Sequence, residues 1–390
     1  MNAVQTATPY FFQTAGSIAA GAGSLSQLLP RIGALGSFKH AVIITQPSIQ
    51  ALGVIDSLSG ELAKAGINSR SYTEVKPEPT VGNIREVFAA VSAEPVDLLI
   101  GIGGGSVLDA TKLFSVLLTN PVDVQSLIGT DLVANPGIPT VLIPTTSGTG
   151  SEVTPNAIVT LPEEELKVGI ISRHMLPKLV ILDPGLTVSL PKPITAATGM
   201  DAFTHALESY ISNKANPISD MFALESIRLI AGSLVQAYHE GQNLAAREQL
   251  LLGSMYGGMA LTAAGTAAVH ALAYPLGGKF NISHGVANSM LLPHVMKFNM
   301  DCIAGRLEQV AAAMGLASTG SAGAPEAVIE RIFQWTKEMN IPQNLRAFGV
   351  TEQDVDSLAV AASKVTRLLN NNPKVMSIED MQAVYRKLLP

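Results

Sequence analysis

The chain has 390 residues, 47% of them hydrophobic and 14% charged, with a formal net charge of -6 at pH 7; its mean hydropathy is +0.31 and its isoelectric point about 5.7. This length exceeds what one core fills and leads us to expect two domains, while the apolar fraction excludes a disordered chain. With no run of Lys and Arg to meet a phosphate backbone, nucleic acid is excluded as a partner.

The N-terminal stretch MNAVQTATPY lacks the basic and apolar regions of a secretory signal, and the single cysteine, Cys302, permits no internal disulfide. Both lead to the expectation of a cytoplasmic protein. The first half alternates β-rich apolar runs with helical patterns. A strand is expected at Ala41 to Thr45, a helix over Ile49 to Ala65, a strand at Val96 to Gly103 and a helix from Ser106. Further apolar runs at Thr140 to Pro144, Ala157 to Thr160 and Leu179 to Asp183 complete a mostly parallel sheet covered by helices. Beyond Pro191 nearly every segment reads as an amphipathic or buried helix, for example DMFALESIRLIAGSLVQAYHE and VIERIFQWTKEMN. We therefore expect an α/β domain over residues 1–185 and an all-helical domain over 186–390, with a cleft between them. No charged Asp, Glu, Lys or Arg occurs between Glu248 and Lys279, long enough for a membrane span. Its richness in Gly, Ala, Thr and Ser, with His270 and Pro275, favours a helix buried within the protein, so no membrane partner is expected.

Two loops at the carboxyl ends of strands carry ligand-binding character. In LLIGIGGGSVLDATK, from Leu98 to Lys112, a buried strand runs into Gly103, Gly104 and Gly105 and then into a helix with Ser106 as its expected N-cap. Glycines let a phosphate approach the backbone, and the free N–H groups of a helix N-terminus favour its charge. The segment departs from the usual dinucleotide fingerprint, since Ser106 stands at the third glycine position, and a tight strand-to-helix turn would need the same glycines. The second loop, PTTSGTGSE from Pro144 to Glu152, would lie at the same sheet edge with its hydroxyls available.

Downstream, Asp201 and His205 stand four residues apart in GMDAFTHALESY, so on a helix both project from one face and can grip one ion, though a salt bridge or cap uses the same spacing. His270 lies in the charge-free segment, and His284 at the turn of NISHGVAN. Each alone also suits a structural role. His40, His174, His239 and His294 receive no role.

Taken together, GGGSxxDxxK at Gly103 to Lys112, PTTSGTGSE at Pro144 to Glu152, GMDAFTHALE at Gly199 to Glu208 and HALAYPLGGKFNISHGVANSMLLPH at His270 to His294 resemble the iron-containing (group III) alcohol dehydrogenase family, in its order and spacing. The resemblance implies an α/β dinucleotide-binding domain, an all-helical domain and a metal in the cleft between them. It implies Asp201, His205, His270 and His284 as metal ligands. It also implies that Gly104, Gly105, Ser106, Asp109, Thr145, Thr146, Thr149 and Lys167 border the cofactor, to which we add Gln46, Gly103 and Ser147. Asn156, just past the second loop, would face the substrate.

The pattern is broken at two positions. Where the family often has a second histidine, four residues after the third ligand, this chain has Tyr274, whose side chain titrates at about 10 unless perturbed. Branches acting on hydroxy acids share a tyrosine there, which keeps such substrates among those expected. Many NAD-preferring members carry Asp where this chain has Gln46; without that charge, NADP is expected to be tolerated as well as NAD.

The expected activity is reversible hydride transfer between a small-molecule alcohol, aldehyde or hydroxy acid and NAD or NADP, assisted by Fe(II). Zinc binds such ligands more tightly than Fe(II) and is a possible occupant. The resemblance also implies a homodimer or larger homo-oligomer. The alternatives are a dehydroquinate synthase-like NAD and zinc lyase, a hydroxyacid-oxoacid transhydrogenase-like activity, a nucleotide sensor with a vestigial site, and a metal-free maleylacetate reductase-like enzyme. The intact ligand set argues against the last two.

Overall fold

The computed structural model describes residues 9–164, 166–316 and 323–390. Its first part contains β1 (Ile18–Ala20), α1 (Leu28–Leu35), β2 (His40–Ile44), α2 (Pro47–Gln50), α3 (Val54–Lys64), β3 (Asn68–Tyr72), α4 (Val81–Val91), β4 (Leu98–Gly103) and α5 (Gly105–Leu117). Then come β5 (Gly129–Thr130), β6 (Thr140–Pro144), β7 (Asn156–Leu161), β8 (Leu166–Ile171) and β9 (Leu179–Leu182). Six of these strands form one sheet, in the order β1-β9-β6-β4-β2-β3, and every pairing in it is parallel. Helices cover both faces. Val42, Ile44 and Leu99 enter one core, and Ala41, Ile43, Leu98 and Ile100 the other, which is why these strands read as unbroken apolar runs.

From β2 the chain moves outward to β3 and returns to β4 on the far side of β2. The carboxyl ends of β2 and β4 therefore flank the point where the winding reverses, where open α/β sheets leave a crevice for ligands. Gln46 follows β2 and the glycine turn follows β4, so both stand at that crevice.

The structure corrects several expectations. The run Ala157 to Thr160 belongs to β7, which pairs antiparallel with β8 in a separate three-stranded sheet, β5-β8-β7. Its alternate residues are buried, the mark of a half-covered hairpin rather than of a central parallel strand. The helix expected over Ile49 to Ala65 is broken at Gly53, whose φ of 73° is left-handed. Strands β1, β3 and β8 escaped the sequence reading; β3 is polar (NSRSY) because it is an edge.

The second part is helical: α6 (Lys192–Ile211), α7 (Pro217–His239), α8 (Leu244–Ala264), α9 (Ala268–Phe280), α10 (His284–Ala313), α11 (Ala324–Glu338), α12 (Val355–Ser363), α13 (Thr366–Leu369) and α14 (Ile378–Arg386). The charge-free segment is two helices, not one: α8 and α9 meet at 106° across Gly265, which adopts a φ of 73°. No single helix among the described residues is long and apolar enough to cross a membrane. The bend places the amino end of α9 beside the middle of α6, and this placement builds the site.

Candidate active site

α6 is buried along almost its whole length from Thr195 to Ile211, and its small residues allow close approach. A Cβ on Gly257 of α8 would stand 3.1 Å from the Ala202 carbonyl oxygen. Within this packed setting Asp201 and His205 face the same way one turn apart. The first turn of α9 brings His270, and the first residue of α10 brings His284. The four donor atoms lie within 4.8 Å of one another.

Asp201 Oδ1 is 4.0, 3.9 and 3.7 Å from the Nε2 atoms of His205, His270 and His284. Donors around a tetrahedral ion with bonds of about 2.1 Å stand about 3.4 Å apart, so shifts of at most about 0.7 Å per donor would close a set spread over 4.8 Å. The imidazoles are already oriented for this. His270 Nδ1 is 2.6 Å from Glu208 Oε2, and His205 Nδ1 is 3.2 Å from the Gly148 carbonyl. Each Nδ1–H is thereby committed outward, which leaves the Nε2 lone pair facing the centre. Asn288, one turn after His284, donates to Asp201 Oδ1 at 2.7 Å, while its own Oδ1 is buried without a partner. Such an orphaned polar atom beside convergent lone pairs fits a site meant to hold a cation.

The electrostatics agree. Burial alone would raise the Asp201 carboxyl, but three imidazoles and the Asn288 amide hold it below the usual carboxylate range. Burial pushes the His205 imidazole down and, with His270 and Lys167 adding to it, takes His284 down to about 3. A carboxylate with neutral imidazoles is the protonation state that metal ligation requires.

Helix α9 has no local cap. Its end is served by the Glu208 carboxylate of α6, which accepts from Val269 N at 2.6 Å and Ala267 N at 3.0 Å as well as from His270. At α10, His284 N donates to Glu78 Oε1 at 3.2 Å. Glu78 comes from the loop before α4 and adopts a left-handed φ of 51°. It also pairs with Lys167 of β8 at 2.7 Å and donates its backbone N–H to Ser106 Oγ. Carboxylates are thus set against the amino ends of α9 and α10, where the helix dipole favours them.

On the sheet side, α5 begins at Gly105 with Gly104 as its N-cap residue, so Ser106 is not the cap. Its hydroxyl is spent on Glu78 instead. A Cβ on Gly103 would stand 2.7 Å from Val107, and one on Gly105 2.6 Å from Thr149; these two glycines serve close packing. Gly104 is the open one, its nearest neighbour for such a Cβ being Thr146 at 3.4 Å, and its N–H is 3.5 Å from Gln46 Oε1. In the second loop Thr145 and Ser147 are buried with hydroxyls that have no partner. Unpaired buried hydroxyls beside an open glycine turn at the crevice fit a dinucleotide.

Asp109 holds the two loops together. It accepts from Ser151 Oγ at 2.5 Å and Ile158 N at 2.9 Å, and pairs with Lys112 at 3.0 Å. Lys112 is fully buried and donates to the carbonyls of Ser151, Thr154 and Asn156; burial lowers its pKa despite Asp109.

A cavity of about 420 Å³ joins the two halves, walled by Gly105, Ser106, Asp109, Thr149, Asn156 and Lys167 from the first part and by His205, His270, Tyr274 and His284 from the second. Gln46, Gly103, Gly104, Thr145, Thr146, Ser147 and Asp201 are not among the residues that wall it. Tyr274 is buried, its ring centroid 6.1 Å from that of His284. Burial keeps its phenol above its ordinary pKa, with Arg367 beside the hydroxyl working the other way. Sequence reasoning missed Glu208, Asn288, Glu78 and Arg367. The first two had a signal: Glu208 is seven residues after Asp201 and Asn288 four after His284, positions on the same helical faces. Glu78 and Arg367 had none, because only the fold brings them near.

The iron-containing alcohol dehydrogenase model matches residues 15–184, and the model for the C-terminal part of the Fe-containing alcohol dehydrogenase family matches residues 195–389. The chain belongs to the iron-containing alcohol dehydrogenase family. It is 40% identical to the long-chain-alcohol dehydrogenase 1 of Geobacillus thermodenitrificans, over 94% of this chain and 93% of that one. Among solved structures it resembles 1,3-propanediol oxidoreductase, with a TM-score of 0.93 and 36% identity over 98% of this chain and 100% of that one. The sulfoacetaldehyde reductase of Bifidobacterium kashiwanohense, solved with NAD+, superposes with a TM-score of 0.87 at 26% identity, over 98% and 99% of the two chains. This family member is an oxidoreductase, an NAD-linked alcohol dehydrogenase acting on small molecules.

Proposed function

We propose that the cavity catalyses reversible oxidation of an alcohol to an aldehyde or ketone with NAD(P), with Asp201, His205, His270 and His284 holding a divalent ion, Fe(II) by family and zinc as the competitor. The observation that carries this reading is the convergence of those four donors, with two imidazoles locked by Glu208 and Gly148 and all three imidazoles on the wall of the same cavity that the glycine turn borders. When bound, the ion supplies a Lewis acid that polarises the reacting oxygen. The chain's own groups do the rest. Gly104, with the amino end of α5, would receive the pyrophosphate, and Thr145, Thr146, Ser147 and Thr149 supply hydroxyls around the cofactor. Lys167 and Glu78 tie the α/β loops to the amino end of α10, holding His284 in register. Asn156 and Tyr274 face the substrate; the Tyr274 hydroxyl orients a substrate oxygen by hydrogen bonding. Gln46 places no charge against a 2′-phosphate, which supports use of both cofactors.

We take residues 1–185 as the dinucleotide-binding domain and 186–390 as the metal and substrate domain, in a cytoplasmic homo-oligomer whose subunit number light scattering would give. The names of the relatives span neutral and sulfonated substrates, so family membership leaves the substrate to the pocket. The test is NAD(P)H absorbance with Fe(II)-loaded protein against alcohols and hydroxy acids, both cofactors and a His270→Ala control. Turnover that needs His270 is the expected result. Turnover surviving in His270→Ala, or none from a protein with its metal bound, would sink the reading.

A further inference from the structure

Two cations on the cavity wall have no carboxylate partner among the described residues. Among the acidic residues that line the cavity, Glu78 is paired with Lys167 at 2.7 Å and Asp109 with Lys112 at 3.0 Å. Arg367, on α13, and Lys214, in the turn between α6 and α7, also line it, and neither forms an ion pair among the described residues. Both residues belong to the helical part. Arg367 and Tyr274 line the cavity together, the Tyr274 ring lies 6.1 Å from that of His284, and a Cβ on Gly169 of β8 would meet the Arg367 Nη2 at 3.6 Å. The guanidinium thus lies against β8 on the wall of the cavity that also holds Tyr274 and the three imidazoles.

We propose that Arg367, with Lys214 contributing long-range attraction, binds a terminal carboxylate of the substrate, so that the preferred substrates are short aldehyde acids and the corresponding hydroxy acids. The inference rests on the dehydrogenase reading of this cavity and names the substrate class. Arginine suits the task because its planar fork matches the two oxygens of a carboxylate and stays charged at every working pH. A half-enclosed wall strengthens such a pair relative to bulk water, since the effective dielectric is lower there. The balanced reaction is aldehyde acid plus NAD(P)H plus a proton, giving hydroxy acid plus NAD(P)+. The carboxylate is unchanged and serves as a handle.

The test compares two four-carbon aldehydes, succinic semialdehyde and butanal, by kcat/KM with the metal-loaded enzyme. Wild type should favour the charged aldehyde at least tenfold. In Arg367→Ala that ratio should fall ten- to a hundredfold, the loss of a charge-assisted pair, and Arg367→Lys should recover part of it. Calorimetric titration with butyrate reads the same contact without turnover and should weaken at least tenfold in Arg367→Ala. A wild-type ratio near or below one, or a ratio that Arg367→Ala leaves in place, overturns the inference while the dehydrogenase stands on butanal turnover. A loss confined to the Michaelis constant for the cofactor assigns Arg367 to the dinucleotide and also overturns it. Turnover of neither aldehyde by metal-loaded protein overturns both readings.

Discussion

Replacing Glu208 by Gln tests whether the site is held by positioning rather than by its four donors alone. The carboxylate accepts from Val269 N at 2.6 Å, Ala267 N at 3.0 Å and His270 Nδ1 at 2.6 Å, and it is fully buried. Glutamine keeps the volume but turns one oxygen into a donor, so at least one of the three N–H groups loses its acceptor and faces another N–H. A buried donor left unsatisfied costs about 1–3 kcal/mol, more when the lost acceptor was charged, so a loss of about 2–4 kcal/mol is expected. For a unit of this size each kcal/mol lowers Tm by about 2–4 °C, which gives a drop of roughly 5–15 °C. Freed from its carboxylate, His270 can also carry its proton on Nε2, the nitrogen that must face the ion; loss of such a partner weakens metal affinity about 10–100-fold. Chelator competition measures the affinity and calorimetry the Tm. If Glu208→Gln bound metal within threefold of the native protein, the carboxylate would be a helix cap and nothing more.

Four further outcomes are expected. Burial raises the Glu152 carboxyl to about 7 from its ordinary 4.5; a folded pKa above the unfolded one means stability is lost as pH rises between those values, by about 3 kcal/mol. Glu152→Gln should therefore gain about that much on the native protein between pH 4 and pH 8 in denaturant titrations, and parallel curves would contradict this. Gly150 has a φ of 58° and a Cβ there would lie 2.5 Å from Gly258 Cα, so Gly150→Ala should cost about 2–5 kcal/mol from left-handed strain plus overlap, whereas Gly53→Ala, left-handed but in open space, should cost only about 1–2 kcal/mol; equal losses would refute the packing argument. Gln46→Asp should shift the ratio of kcat/KM for NAD over NADP upward about tenfold or more by repelling the 2′-phosphate, and an unmoved ratio places the ribose elsewhere. Chelation should lower the Tm of metal-loaded protein, since a ligand at a hundred times its Kd contributes about 2.7 kcal/mol, and should do nothing to His270→Ala; equal shifts in both would mean the ion binds at another place.

Much of this was legible because two different periodicities were in force. The buried strands β2, β4, β6 and β9 are apolar on both faces and needed no tertiary knowledge. The i, i+4 spacing of Asp201 and His205 likewise survived into α6. The hairpin β7–β8 was misassigned because a run of four apolar or small residues looks the same in a parallel core as in a half-covered ribbon. The break at Gly265 was missed because glycines are frequent throughout that segment and nothing local marks the one that is left-handed. Ser106 shows a subtler failure: it had the right chemistry for a cap, but Gly104 took the position and the hydroxyl went to Glu78, a residue twenty-eight positions earlier. Arg367 and Glu78 were out of reach, since their importance lies in what the fold sets beside them.

Two helix caps, Glu208 and Glu78, explain why the site needs both halves of the chain. His270 and His284 open their helices, the positions where backbone N–H groups lack intrahelical acceptors. A ligand placed at a helix start is therefore only as well fixed as the cap of that helix. For α9 the cap is Glu208, from the helix that also bears Asp201 and His205, so three ligands are referenced to one element. For α10 the cap is Glu78, from the α/β part, and Glu78 is itself held by Lys167 and by Ser106 at the glycine turn. The position of His284 is thus tied by a continuous set of polar contacts to the glycine turn, and the link runs through a single carboxylate held in a left-handed backbone conformation that costs about 1–2 kcal/mol. A strained residue persists when the surrounding structure requires it, and what requires Glu78 here is the registration of one half of the active site against the other.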